Sequence, residues 1–415
     1  MGSAGVVRQS PMIARSPSSA SSWLFQSLLG FAFCVSFFVL VEPAPVDGLL
    51  LALFAFGLLF GIVRLRQMPV LPIALLTGLA VANLVSMSGA DDRVRAMSYT
   101  FVTFYMMTSW ALFVGALNSY GASALKAIFS GYSLAVLFAV IPAVASYFHL
   151  IGFQSILLLY GRPKGLFKDP NVFGPFLILI GVMATTGCLP VANRFAQLVI
   201  AVVATVGIVL SYSRACWINY AVSLVLFALL DQVLPLHHAE GRSTSLPRLV
   251  GFALVGILAL AAISQITSVK TMLAMRIGQG GMHDYDQIRF QTQQMAVRAA
   301  IDHPLGIGPG QSEGVFTYAT HSSYIRVLGE NGLFGLFCFV GFVFSTLVQA
   351  IARVSTAQSR QWRGIYLAAA ACICGHLINS GVVDTVHWRH FWFLLALPWA
   401  PNSVVAAQRA HSRTL

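Results

Sequence analysis

Apolar runs of about twenty residues recur from one end of this chain to the other, separated by short polar turns. Hydrocarbon about 30 Å thick is crossed by about 20 helical residues at 1.5 Å each. On that measure the pattern predicts twelve spans. They lie near 23–41, 48–63, 70–88, 97–117, 124–148, 171–189, 195–210, 213–231, 248–266, 323–350, 364–381 and 389–406. Nine of them fill residues 23–266 and three fill 323–406. Residues 1–22, rich in Ser and lacking an apolar face, read as a disordered cytoplasmic tail, and 407–415 as a second one. The first run, Trp23 to Val41, is full length and no small-residue cleavage site follows it, which argues against a signal peptide. Pro142 and Pro175 fall inside spans and predict kinks. One long interval, 267–322, departs from the apolar rhythm, and we expect it to be a single long loop on one membrane face.

Composition agrees with an all-α polytopic membrane protein. The chain is 57% hydrophobic and 9% charged, with mean hydropathy +0.78, where soluble domains carry about 25% charged residues. Charge then orients the spans. With the N-terminus inside, thirteen of the 25 cations share the inner face with only Asp231 and Glu240, and the outer face holds the other eleven acids. The basic excess is thus topological and no nucleic-acid partner is expected. The six cysteines lie in or at spans, and their spacing suggests neither a disulfide framework nor a zinc site.

Chemistry concentrates in three stretches of the outer face and in the long loop. GRPKGLFKDPNVFG (161–174) pairs Asp169 with Pro170, a helix-start signal, with Arg162, Lys164 and Lys168 just outside. A helix start beside cations suits an anion, and a plain cap explains the same residues. SYSRACW (211–217) puts Arg214 where one span ends and the next begins, either to snorkel to headgroups or to hold a ligand. THSSYIRVLGENGLFG (320–335) places His321 at the junction of loop and span. It is an interfacial histidine bonded to water, or a base, since imidazole accepts a proton at neutral pH. HPLGIGPG (303–310) predicts a tight turn with close backbone approach, without the strand–Gly–helix context of a nucleotide loop.

In this order, FKDPNVFG, SRACW, DYDQIRF with HPLGIGPG, and THSSYIRVLGENGLFG, the chain resembles the O-antigen ligase and polymerase superfamily of bacterial membrane glycosyltransferases. The resemblance covers roughly residues 160–340. It implies an enzyme of the inner membrane whose active site faces the periplasm. The donor would be a glycan on undecaprenyl diphosphate and the acceptor lipid A–core or another glycan, with no metal and no cofactor. Carried over position by position, Arg214 and Arg289 hold the diphosphate and His321 activates the acceptor, with Lys168 and Arg162 as further diphosphate contacts. The family usually has His-Asn where this chain has His321–Ser322.

A ligase and a polymerase need the same donor chemistry, so the motifs do not separate them. A transporter or flippase should show repeated halves and charges at the midplane; the sequence has no internal repeat and its charges sit at the outer edge. Asp384, His387 and His390 recur every three residues, which spreads them over about 120° of helix and fits a hydrogen-bond cluster better than a metal site.

Overall fold

The computed structural model describes residues 19–191, 193–234, 245–277, 284–316 and 320–400, without side chains for several positions in 253–263 and for 284–286 and 289. Sixteen α-helices lie among these residues. The first five are α1 (Ser19–Cys34), α2 (Pro45–Leu59), α3 (Val70–Ser86), α4 (Arg93–Tyr120) and α5 (Ala122–Tyr147). A short α6 (Gln154–Leu157) leads into a two-residue hairpin of β1 (Leu158–Leu159) and β2 (Arg162–Pro163). Then come α7 (Pro170–Thr186), α8 (Arg194–Leu210), α9 (Arg214–Val233) and α10 (Ser245–Ile263). Next are α11 (Thr267–Ile277), α12 (Asp284–Asp302) and α13 (Ser312–Val315). The last three are α14 (Ser323–Ser355), α15 (Arg360–Ser380) and α16 (Arg389–Ala396).

Each of the twelve expected runs falls on a helix, but the helices are unequal. Six are long and apolar enough to cross a bilayer: α1, α3, α4, α5, α9 and α14. Three more, α2, α7 and α8, are apolar but shorter. Of the last expected span the described part holds α16, eight residues or about 12 Å of rise, and a 3-10 turn at Leu397–Trp399, and 401–406 lie outside the described residues. The expected tails lie mostly outside the described residues, though α1 already begins at Ser19. The interval 267–322, expected as a loop, is largely helical in α11 and α12.

Local chemistry sets the helix starts. Asp47 accepts from the Ala44 amide at 2.7 Å, Asp92 from Arg95 at 3.0 Å, and Asn193 from Phe195 at 2.8 Å. Outward faces carry apolar stripes, such as Leu134, Phe138 and Ile141 on α5 and Phe195, Leu198 and Val202 on α8. Stripes of that size would be an aggregation liability in water and match hydrocarbon instead. Inside, Phe393 packs edge to face with Phe33, Phe113 and Tyr132, with centroids 4.7–6.4 Å apart.

Contacts between helix ends sort into two groups. At one end Arg363 pairs with Asp231, Arg248 reaches the Thr186 carbonyl at 3.4 Å, and Ser119 reaches the Ile62 carbonyl at 2.6 Å. At the other, Lys168 meets Glu42 at 2.5 Å, Arg389 pairs with Asp47, and Gln311 bonds Asp92. Successive helices alternate between these ends, as the charge pattern predicts for an antiparallel bundle. The candidate residues all belong to the second end.

Candidate active site

Two local folds bring the recognised motifs together. The first joins residues 161–174 to 211–217. Asp169 accepts from the Asn171 amide at 2.5 Å, so the start of α7 is satisfied by its own side chain. That is the plain cap. Arg162 is buried; its Nε donates to the Ser211 carbonyl at 2.9 Å and a terminal nitrogen donates to Asn171 at 3.1 Å, tying α7 to the turn before α9. Burial, with Arg276 nearby, lowers its guanidinium to about 10. Gly174 completes the contact: a Cβ there would lie 2.6 Å from the Cys216 sulfur. Tyr212 turns the chain with φ 50°, and its hydroxyl is 2.9 Å from that of Tyr147.

Arg214 is the first residue of α9 and is exposed. Unlike α7, α9 starts without a side-chain cap, since Ser213 makes no such bond. Its first-turn amides and the positive end of the helix dipole therefore lie at the helix end that begins with Arg214.

The second fold joins 303–316 to the start of α14. That helix is broken at Gly332, whose φ of 68° and ψ of −176° interrupt the ladder. The freed carbonyls of Gly329 and Glu330 accept from Ile307 at 2.9 Å and Gly308 at 3.1 Å. The Glu330 carboxylate accepts from the Gly310 amide at 2.8 Å and from Arg326 Nε at 3.3 Å. Close approach explains the glycines, because a Cβ on Gly306 would fall 2.3 Å from the Glu330 carbonyl oxygen.

His321 stands just before this segment, half-buried, in the left-handed conformation with φ 46°. Both neighbours are held: Gln293 donates to the Thr320 carbonyl at 2.9 Å, and Ser322 caps α14 through Ile325. A non-glycine residue held there stores strain of the kind that gathers at functional sites. Gln293 lies on α12, one turn after Arg289, so the helix carrying Arg289 docks beside His321. The Arg289 side chain lies outside the described residues, as does His283.

Beside His321 lies a charged cluster that the motif reading did not assign. Arg326 pairs with Asp384 and Glu330, approaches Glu313 at 3.7 Å and lies 4.7 Å from the Tyr99 ring centre. Burial pushes the Asp384 carboxyl up, but the Arg326 charge overrides it and holds it below its ordinary value. His387 contacts the Thr103 hydroxyl at 3.1 Å; burial and Arg326 lower it to about 4, so it is neutral. Lys168 is not with Arg162: it is half exposed, pairs with Glu42 and faces a separate cavity. Among the described residues no group of three metal-ligating side chains converges.

Residues 199–340 match the family model for O-antigen ligase. Over that stretch, about a third of its length, the chain is similar to the O-antigen ligase family. The matched segment runs from α8 to the middle of α14 and contains Arg214, Arg289, His321, Arg326 and Glu330. Arg162, Lys168 and Asp384 lie outside it. The six described helices long and apolar enough to cross a bilayer agree with a multi-pass membrane protein. No curated protein matches the chain.

Proposed function

We propose that this protein is an O-antigen ligase-type glycosyltransferase of the bacterial inner membrane, working at the periplasmic face. It would move a glycan from undecaprenyl diphosphate to an acceptor hydroxyl on lipid A–core or another surface acceptor. The observation that carries this reading is that the O-antigen ligase match spans Arg214 to His321. In the proposed reaction the bond between sugar C1 and the diphosphate oxygen breaks and the acceptor oxygen forms a new bond on the opposite face, inverting the anomeric centre. The electron pair leaves on the diphosphate, where charge builds up.

Arg214 and Arg289 are assigned to that charge, with the uncapped amides of α9 adding dipoles beside Arg214. Charge-assisted bonds of this kind contribute about 1.5–3 kcal/mol each. His321 is assigned to the acceptor proton, a contribution of roughly 10²–10⁴ in rate. Arg162 and Lys168 already have protein partners, so we give them supporting roles only.

A polymerase would use the same donor residues with a second lipid-linked glycan as acceptor. Glycan analysis of a deletion strain tests the assignment. The ligase reading predicts polymer still built on lipid carrier but missing from its surface anchor. Single units in place of long chains would contradict it and mean polymerase.

A further inference from the structure

A cavity of about 220 Å³ opens at the same end of the bundle, and among the described residues neither Arg214 nor His321 lines it. It touches α4 at both Tyr99 and Phe113, fourteen residues apart, which is about 21 Å of helix. The space is therefore elongated along α4. Its deep walls are Phe33, Phe113, Tyr132 and Phe176. The hydroxyls there are already committed, Tyr132 donating to the Phe176 carbonyl at 2.6 Å and Ser36 to the Phe33 carbonyl at 2.6 Å. A sugar ring placed deep would lose hydrogen bonds it makes in water, whereas a hydrocarbon chain would lose none.

The mouth is charged, and its cations are already paired, with acids in excess. Lys168, Arg326 and Arg389 line it, and each is held by a carboxylate: Glu42 for Lys168, Asp384 and Glu330 for Arg326, and Asp47 for Arg389. Three cations thus meet four acids. A diphosphate brought here would have to displace those carboxylates, while hydroxyls or a zwitterion could bond to the ring without breaking it.

We propose that this cavity binds one apolar chain of an amphiphile whose head group is net neutral, with Arg214 and His321 outside its lining. The class includes neutral glycolipids and zwitterionic bilayer lipids, which share the chain and the uncharged balance of the head. Because the claim concerns binding, it stands or falls independently of the reaction.

The test uses the full chain in lipid nanodiscs with a photoreactive alkyl maltoside and the alkyl phosphate of equal chain length. Crosslinks should map to peptides containing Phe113, Tyr132 or Phe176, and the phosphate should need at least tenfold more ligand for equal labelling. Unlabelled maltoside and a zwitterionic phosphocholine of the same chain should compete, at concentrations that say which head is preferred. Leu50→Phe and Val172→Phe, which enlarge lining side chains, should each cut labelling several-fold while the unfolding midpoint is retained. Lys168→Gln, at a half-exposed position, should preserve the fold and widen the preference for the neutral head. Labelling confined to outward positions such as Phe138 or Phe344 would overturn the proposal. So would equal or tighter binding of the alkyl phosphate, or labelling indifferent to both phenylalanine variants in folded protein.

Discussion

Arg214 and Arg326 are both arginines at the start of a helix, and their surroundings separate their roles. Arg326 is buried among Glu330, Asp384 and the Tyr99 ring, so its charge is consumed internally. Arg214 stands exposed at the start of α9, where Ser213 provides no side-chain cap. The sequence marked Arg214 and His321 through their motifs, but it could not rank Arg326, because its partner Asp384 is 58 residues away. His387 carries a consequence for stability. Its folded value is lowered to about 4, below the ordinary imidazole value of about 6.5, so the unfolded chain takes up a proton that the native one refuses. Stability should therefore be full above about pH 6.5 and fall as pH drops towards 4. His387→Gln should flatten that decline, read as unfolding midpoints at pH 7 and pH 5; an unchanged slope would mean that His387 titrates normally in the folded protein.

At the scale of elements, each apolar run of the sequence falls on a helix, but the run does not show where a helix is interrupted. GENGLFG sits at the edge of a long apolar run, so a hydropathy window carries the helix straight through Gly332. The break exists because residues 304–310, two dozen positions upstream, supply the amides that cap the freed carbonyls. Only tertiary structure shows that. The polar interval was read as loop for the opposite reason: α12 has little apolar character, and its docking against α14 stabilises it. Gly332→Ala tests this hinge. A Cβ there would fall 2.2 Å from the Pro304 carbonyl oxygen, at a φ that L-residues rarely adopt. Hydrogen exchange should then quicken across residues 304–316 and the midpoint should fall; unchanged protection would show that the loop docks without the break.

For the whole molecule, charge counting and helix-end contacts describe one antiparallel arrangement. Apolar α5 and α7 run through Pro142 and Pro175 without losing their helical assignment. At the C-terminal end α16 packs its aromatic side chains Phe391, Trp392 and Phe393 into the core. Which end faces the periplasm is decided by labelling. Gly152 is exposed with open space where a Cβ would go, and Gln358 is exposed at the opposite end. In a background stripped of the six native cysteines, Gly152→Cys should react with an impermeant reagent in cells with a permeabilised outer membrane, and Gln358→Cys only after lysis. Reaction from the same side would break the alternation, and reversed sides would move the site to the cytoplasm.

The central claim is that arginines hold the donor while His321 works on the acceptor, and one paired measurement separates those roles. Binding of an undecaprenyl-diphosphate-linked glycan and single-turnover transfer are measured on the same purified Arg214→Lys, Arg289→Lys and His321→Ala proteins, each checked for its unfolding midpoint. Lysine keeps the charge but loses the planar fork that meets phosphate in two places. Both arginine variants should therefore bind donor at least several-fold more weakly. His321→Ala should bind donor as the wild type does while transfer falls by roughly 10²–10⁴, the contribution of a positioned base. Near-normal transfer by a folded His321→Ala protein, or a loss of donor affinity as large as in the arginine variants, would contradict the account.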